Sequence, residues 1–427
     1  MTKTYKQLLF VITTMLLFTA CSMKEPEIVT TEIKNSDIEL LASSADDTSI
    51  DSQKVSKDFF EKYFKPWNST KVSFSKTEAI WGHSYKLKKI YLENHQLATA
   101  QWFDKQIENS NFDIYNSLAK KAILLKNTNI RVLPTNSPMF YDPNQAGEGF
   151  PFDYNQNSSI KINTPIIVSH LSKDRAWAYI ESSNVGGWVE IGTIAFVDKD
   201  FIQEFKSSNY FVSVKEKFPI YDPIFREYIK VATIFPKRND KYIIAKKDDE
   251  QNAIISYIEL NDDEIEPMPL SFNTANRIKI AKQLLDEPYG WGGLLNNRDC
   301  SSFTQDYFAT FGKYLHRNSK AQLSNGKYLD MSNLSNEEKK DFMKKNGVPF
   351  STLVYLKGHI MLYIGVKENE PLVLHNIWSV RLKDDSGRKY RHIIGKAIIT
   401  TLEPGKDIKD FDNETNILNR IQGIVIL

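Results

Sequence analysis

The chain has 427 residues, long for a single domain, and its length alone predicts three or four. The 55 Lys and Arg against 53 Asp and Glu leave a formal net charge of +2, which supplies no basic face and argues against nucleic acid as a partner. Hydrophobic residues at 41% suffice for several cores, and 7 Trp, 20 Tyr and 25 Phe suit small β-domains and clefts for peptide or sugar.

In chain order, residues 1–20 read as an export signal. Lys3 and Lys6 precede an apolar run from Leu8 to Phe18 that is too short for a comfortable membrane span. Phe18-Thr19-Ala20-Cys21 resembles a bacterial lipobox, which implies acylation of Cys21 and a lipid anchor in the membrane; a plain secretory signal is the alternative. Ser22 is not an aspartate and permits sorting to the outer membrane, so the expected location is the cell envelope, facing the periplasm. Residues 21–52, polar and acidic, read as a flexible tether. Residues 53–126 read as a helical region, opened by Val55, Phe59, Phe60, Tyr63 and Phe64 at helical spacing and extending through the run from Tyr115 to Leu125. His83 and His95 stand alone there and read as structural.

From 127 to 200 the texture changes to short alternating runs, such as Pro165 to His170 and Ala176 to Glu181, broken by Gly, Asn, Asp and Pro. That pattern predicts a small β-barrel, and 205–265 reads as a second. Asn261 to Pro269 reads as a linker into a last segment, 271–427. This segment opens with a helix over Thr274 to Leu285 and closes with strands. The whole is an α+β multidomain chain.

Chemistry concentrates around Cys300, the one cysteine outside the leader. Phe303, Tyr307, Phe308 and Phe311 recur at helical spacing, Asp299 sits where an N-cap belongs, and Gly312 suits a stop. Cys300 thus falls in the first turn, where the dipole and free N–H groups favour a thiolate. An isolated cysteine is also a common buried hydrophobe. Downstream, Leu372 to Trp378 follows His359 to Val366 across a turn, and pairing His375 with Met361 or Tyr363 brings His375 and His359 to one face. Cys300 as nucleophile, His359 as base and His375 as its orienting group fit attack on an amide. A zinc site on the same three is the competing use, although no close-spaced ligand pair is present. No metal and no cofactor is expected.

Pro288-Tyr289-Gly290-Trp291-Gly292-Gly293, Asp299-Cys300-Ser301-Ser302, Gly358-His359-Ile360 and Leu374-His375-Asn376, in that order, resemble the NlpC/P60 cysteine peptidases of bacterial cell walls. The resemblance implies a papain-like core in 271–427 and hydrolysis of peptidoglycan stem peptides, usually between γ-linked D-Glu and a diamino acid. Arg131 to Pro134, Tyr141-Asp142-Pro143 and Gly149 to Asp153 are similar to a subgroup with two SH3-like domains and a preference for a free N-terminal L-Ala. Positions matching that subgroup's substrate contacts are Asp299, Ser301 and Ser319, and Tyr289 lines the site by the same resemblance. Glu148 and Asp153 are candidates in the first SH3-like domain, whereas Trp291, His316 and His392 read as structural. The runner-up is a cell-wall-binding lipoprotein with an inactive peptidase domain.

Overall fold

The computed structural model of the protein describes Ile38 and residues 52–207 and 209–427. The export signal, Cys21 and all of the tether except Ile38 and Ser52 lie outside the described residues. Among the described residues no helix is long and apolar enough to cross a membrane. Helix α1 (Ser52–Tyr63) stops just before Pro66, which opens a further short turn of helix over Lys65–Asn68. Its Phe59 and Tyr63, with Phe64 and Trp67, pack into a core shared by both β units. Two bonds to main chain fix this packing: Trp67 Nε1 donates to the Ala122 carbonyl at 2.8 Å and Tyr63 Oη to the Asn163 carbonyl at 2.9 Å. Helix α2 (Ala100–Asn109), capped by Thr99, follows.

The first β unit is a seven-stranded sheet of β1 (Lys120–Leu124), β2 (Thr128–Arg131), β3 (Gln156–Ile160), β4 (Pro165–Leu171), β5 (Trp177–Glu181), β6 (Gly186–Glu190) and β7 (Ile194–Phe196). Its order is β3-β2-β6-β5-β4-β1-β7. The helical reading of Tyr115 to Leu125 is therefore wrong at its end. Lys120–Leu124 is too short for periodicity to separate helix from strand, and pairing with β4 and β7 decides it.

Helix α3 (Lys199–Lys206) leads to the second unit: β8 (Asn209–Ser213), β9 (Phe218–Tyr221), β10 (Phe225–Ile229), β11 (Ile234–Arg238), β12 (Lys241–Lys247), β13 (Ala253–Ile258) and β14 (Ile265–Pro267). Here β9 and β10 form a separate hairpin, and the other five strands make one antiparallel sheet. The expected linker is thus partly a strand, since β14 pairs with β8 and buries Ile265.

The last domain holds α4 (Thr274–Leu284), α5 (Cys300–Thr310), β15 (Lys327–Asp330), α6 (Asn336–Asn346), β16 (Thr352–Leu356), β17 (His359–Lys367), β18 (Glu370–Lys383), β19 (Lys389–Thr401) and β20 (Ile421–Ile426). The antiparallel sheet runs β15-β20-β16-β17-β18-β19. Helix α5 lays Phe303, Tyr307 and Phe308 against Ile360, Leu362 and Leu374 on one face. Burying each such ring stabilises by roughly 1.5–3 kcal/mol. Helix α6, in what the sequence suggests is only a Lys-rich connection, covers the other face through Met343 against Tyr363 and Val373. The architecture is mixed α+β with a helical N-terminal region, as the sequence predicts.

Candidate active site

The first turn of α5 is built as expected. Asp299 is the N-cap, its carboxylate accepting from the Ser302 N–H at 2.8 Å while Ser302 Oγ accepts from the Asp299 N–H at 3.0 Å. Gly312 ends the helix at φ +73°. Cys300 is buried, and the backbone N–H groups of Ile360 and Ser301 are directed at its sulfur. The Ile360 donor seats the thiol beside the start of β17.

The two histidines meet. Leu362 pairs with Leu374, which by continuation sets His375 opposite Met361. His359 Nε2 lies 2.8 Å from His375 Nδ1, and His375 Nε2 lies 3.0 Å from Thr400 Oγ1. The Thr400 hydroxyl donates to the Thr401 carbonyl at 2.7 Å, so it accepts from His375 Nε2–H. His375 Nδ1 then accepts from His359 Nε2–H, which leaves Nδ1 of His359 with a free lone pair for a thiol proton. The tautomers are fixed by hydroxyl and carbonyl, with no carboxylate in the chain of bonds.

The charge state differs from the one read in the sequence. Burial first, and then the Asp299 carboxylate, push the Cys300 thiol up to about 12, although the Ile360 N–H, Arg317 and the Ser301 N–H act the other way. Burial also lowers His359 to about 4, aided by Arg420, and drives His375 well below its ordinary value. The helix terminus does not overcome desolvation. Burial thus favours thiol and neutral imidazole over the ion pair in the resting site, with the proton moving during the reaction.

The thiol opens into a cleft of about 530 Å³. Tyr289, Asp299, Ser301 and Ser319 all line it, as does Gly358 just before His359. Tyr289 has its phenol held well above the ordinary value, by burial and then by nearby Cys300. Asp299 is bound more tightly than a cap requires. Arg317 Nη2 meets Asp299 Oδ2 at 2.7 Å, and Arg317 also donates to Ser301 Oγ at 2.9 Å and Ser158 Oγ at 2.7 Å. Burial opposes ionisation of Asp299, but Arg317 and the Ser302 N–H outweigh it and the carboxyl sits below its usual range.

Gly292 and Gly293 adopt φ +57° and +86°, and added Cβ atoms would meet the Gln156 carbonyl at 2.5 Å and Ser159 Oγ at 2.1 Å. Only glycines let β3 approach this closely. Trp291, which the sequence suggests is core, instead faces the cleft, its ring 5.2 Å from Phe152 and 5.7 Å from Tyr154. Asp153 is buried in a 2.8 Å ion pair with Arg131, and Glu148 accepts from Tyr154 Oη at 3.1 Å; neither lines the cleft. His316 and His392 are also absent from it. The N-terminal region, in which the sequence shows no chemistry, also lines the cleft with Phe74, Glu78, Trp81 and Tyr85. Thr400 and Arg317 are the other residues that sequence reasoning misses. Among the described residues no group of three His, Cys, Asp or Glu side chains is arranged to hold a metal ion.

Comparison with known proteins finds matches to three domains. Residues 286–390 match the NlpC/P60 family, 138–190 an SH3 domain of the SH3b1 type, and 10–115 the N-terminal NLPC_P60 stabilising domain. No curated protein matches the chain. Among solved structures, an NlpC/P60 endopeptidase from Photobacterium damselae subsp. piscicida superposes with a TM-score of 0.82 at 24% identity, covering 94% of this chain and 98% of that one. An NlpC/P60 family protein from Bacillus cereus ATCC 10987 matches at a TM-score of 0.43 and 15% identity, over 71% of this chain and 98% of its own. The chain therefore carries an NlpC/P60 family domain, preceded by an SH3b domain and an N-terminal stabilising domain of the kind that accompanies it.

Proposed function

We propose that the protein is a cysteine endopeptidase that cuts peptidoglycan stem peptides between γ-D-Glu and the diamino acid, favouring a free N-terminal L-Ala. The observation that carries this reading is the chain of bonds from Thr400 through His375 to His359, which leaves one basic nitrogen on the strand packed against Cys300. In the reaction His359 Nδ1 takes the thiol proton as sulfur attacks the amide carbonyl carbon. The resulting imidazolium gives that proton to the departing amine as the C–N bond breaks, leaving a thioester. Water, deprotonated by the same imidazole, then attacks the thioester, and its proton returns to the sulfur as the acid leaves. Asp299, kept ionised by Arg317, is suited to meet the ammonium of a free L-Ala, with Ser301, Ser319 and Tyr289 around it. Acylation of Cys21 would tether the enzyme to the outer membrane, facing the periplasm.

The test is incubation of purified protein with L-Ala-γ-D-Glu-diaminopimelate peptides and with whole sacculi, read by mass spectrometry. Scission after the glutamyl residue supports the reading, and unchanged turnover in Cys300→Ala removes it. Binding to sacculi without cleavage by the wild type would instead support an inactive cell-wall binder. Incorporation of labelled fatty acid, lost in Cys21→Ser, tests the anchor.

A further inference from the structure

Beyond the two histidines the long hairpin of β18 and β19 carries an arrangement that the chemistry above does not use. Arg381 and Arg391 are directly opposed across the two strands. Arg420, just before β20, reaches the Lys357 carbonyl at 3.1 Å, next to Gly358 and His359. All three are partly buried. Like charges directly opposite one another destabilise a strand pair, and burial adds to that. Among the described residues no carboxylate forms an ion pair with any of the three. Glu148 and Asp412 act on Arg391 through space, without a direct bond. Asp412 is itself taken up by the Glu414 and Thr415 backbone and the Thr415 hydroxyl. Arg381, Arg391 and Lys389 line a cavity of about 220 Å³ together with Asp412, Thr415 and, from the first β unit, Ala146. Arg391 lies so close to Gly147 that a Cβ there would meet its Nη2 at 2.7 Å.

A run of rings leads from the cleft towards this cavity. Tyr289 borders the thiol and its ring lies 6.0 Å from that of Trp378, which also touches Phe150 and Phe152. Arg381 is three residues further along β18, roughly 10 Å at strand rise. Arg420 approaches from the side of His359, closely enough to depress that imidazole. His359 is the group that protonates the departing amine, so the leaving peptide must lie on this side. The Asp299 side is left for the acyl portion.

We propose that Arg381, Arg391 and Arg420 form the subsite for the free carboxylates of the leaving diamino acid or its C-terminal extension. Guanidinium forks match carboxylates two bonds at a time, and an extended residue or two spans the distance. This rests on the endopeptidase reading and specifies it: the preferred leaving group is anionic.

The experiment compares two substrates, an L-Ala-γ-D-Glu-diaminopimelate peptide with free diaminopimelate carboxylates and the same peptide with those carboxylates amidated. For wild type, kcat/KM should favour the free acid about tenfold or more, largely through KM. In the Arg381→Gln/Arg391→Gln double variant, and separately in Arg420→Gln, the ratio should fall towards one. A ratio unchanged in both variants overturns the subsite, as does a wild type indifferent to amidation. If wild type cuts neither peptide, the endopeptidase reading fails instead. The subsite is then decided by titrating free diaminopimelate into Cys300→Ala protein by calorimetry. Binding that disappears when Arg381→Gln/Arg391→Gln is added upholds it, and no binding to Cys300→Ala overturns it.

Discussion

Helix α5 serves two buried polar clusters that handle burial in opposite ways. At its first turn burial favours the neutral forms of Cys300, His359 and His375, and the histidine bonds run through a hydroxyl and a main-chain carbonyl. Two turns on, Asp306 is fully charged in an ionic knot. Arg298 Nε meets Asp306 at 2.7 Å and its two Nη atoms hold Glu216 at 2.8 Å, while Lys161 of the first β unit also pairs with Asp306. Lys230 joins through the Asn297 carbonyl at 3.3 Å, and burial, reinforced by Arg298, lowers it to about 7. The knot ties both β units to the helix that carries the nucleophile. Where charge only has to hold domains together, each carboxylate has a cation against it. Where a proton has to move, the groups are desolvated without a counter-ion.

The contrast is broken most sharply at its reactive end. Cys300→Ala should lower peptide cleavage by at least about a thousandfold with little loss of stability, because the site loses a thiol and no ion pair. In the knot the outcome reverses. Arg298→Met takes the guanidinium from buried Glu216 and leaves Asp306 with Lys161 alone, and should destabilise the fold by about 3–5 kcal/mol in denaturant titration. A stable Arg298→Met protein with the wild-type midpoint would mean that the knot is ornament.

A third measurement uses pH. His359 is lowered to about 4, so it is neutral above that value and gains its proton as pH falls through it. The kcat/KM of the free enzyme should therefore be flat from about pH 5 to 8 and collapse below about 4, whereas an ordinary imidazole would lose activity near 6.5. The same depression works on stability: it is complete above the unfolded value near 6.5 and is lost as pH drops towards 4. Alkylation of Cys300 by iodoacetamide should be slow at pH 7 and rise only in the alkaline range, because the resting thiol is protonated.

Much of the reactive half is legible in the sequence because it is local. Asp299 before Cys300, four aromatics at helical spacing and two histidines on adjacent strands each leave a short-range mark. What escapes is set by contacts between distant segments. Arg317 reaches back to Asp299 and across to Ser158, and nothing around residue 317 announces either partner. Trp81 and Tyr85 wall the cleft from about 200 residues upstream of Cys300. The protonation state escapes too, since dipole and burial oppose each other and only packing shows that burial wins. Lys120–Leu124 and Ile265–Pro267 fail for a related reason: short segments become strands through partners that periodicity cannot name.

The smallest effect isolates the end of the proton path. Thr400 touches neither the thiol nor the cleft, and acts through His375 as a positioning residue. Thr400→Val keeps the shape and removes the acceptor, so His375 Nε2–H is left buried and unpaired and its other tautomer becomes competitive. In that tautomer Nδ1 carries the hydrogen and no longer accepts from His359, whose ring is then free to turn its basic nitrogen away from Cys300. The expected loss is about tenfold in kcat with KM nearly constant, since ground-state contacts in the cleft are intact. Thr400→Ser, which restores the hydroxyl, should recover most of the rate. A purely structural role would give equal losses of stability in both variants and no such recovery. Equal activity in Thr400→Val and wild type would show that the His359–His375 contact alone sets the tautomer, and the dry relay would be one residue shorter.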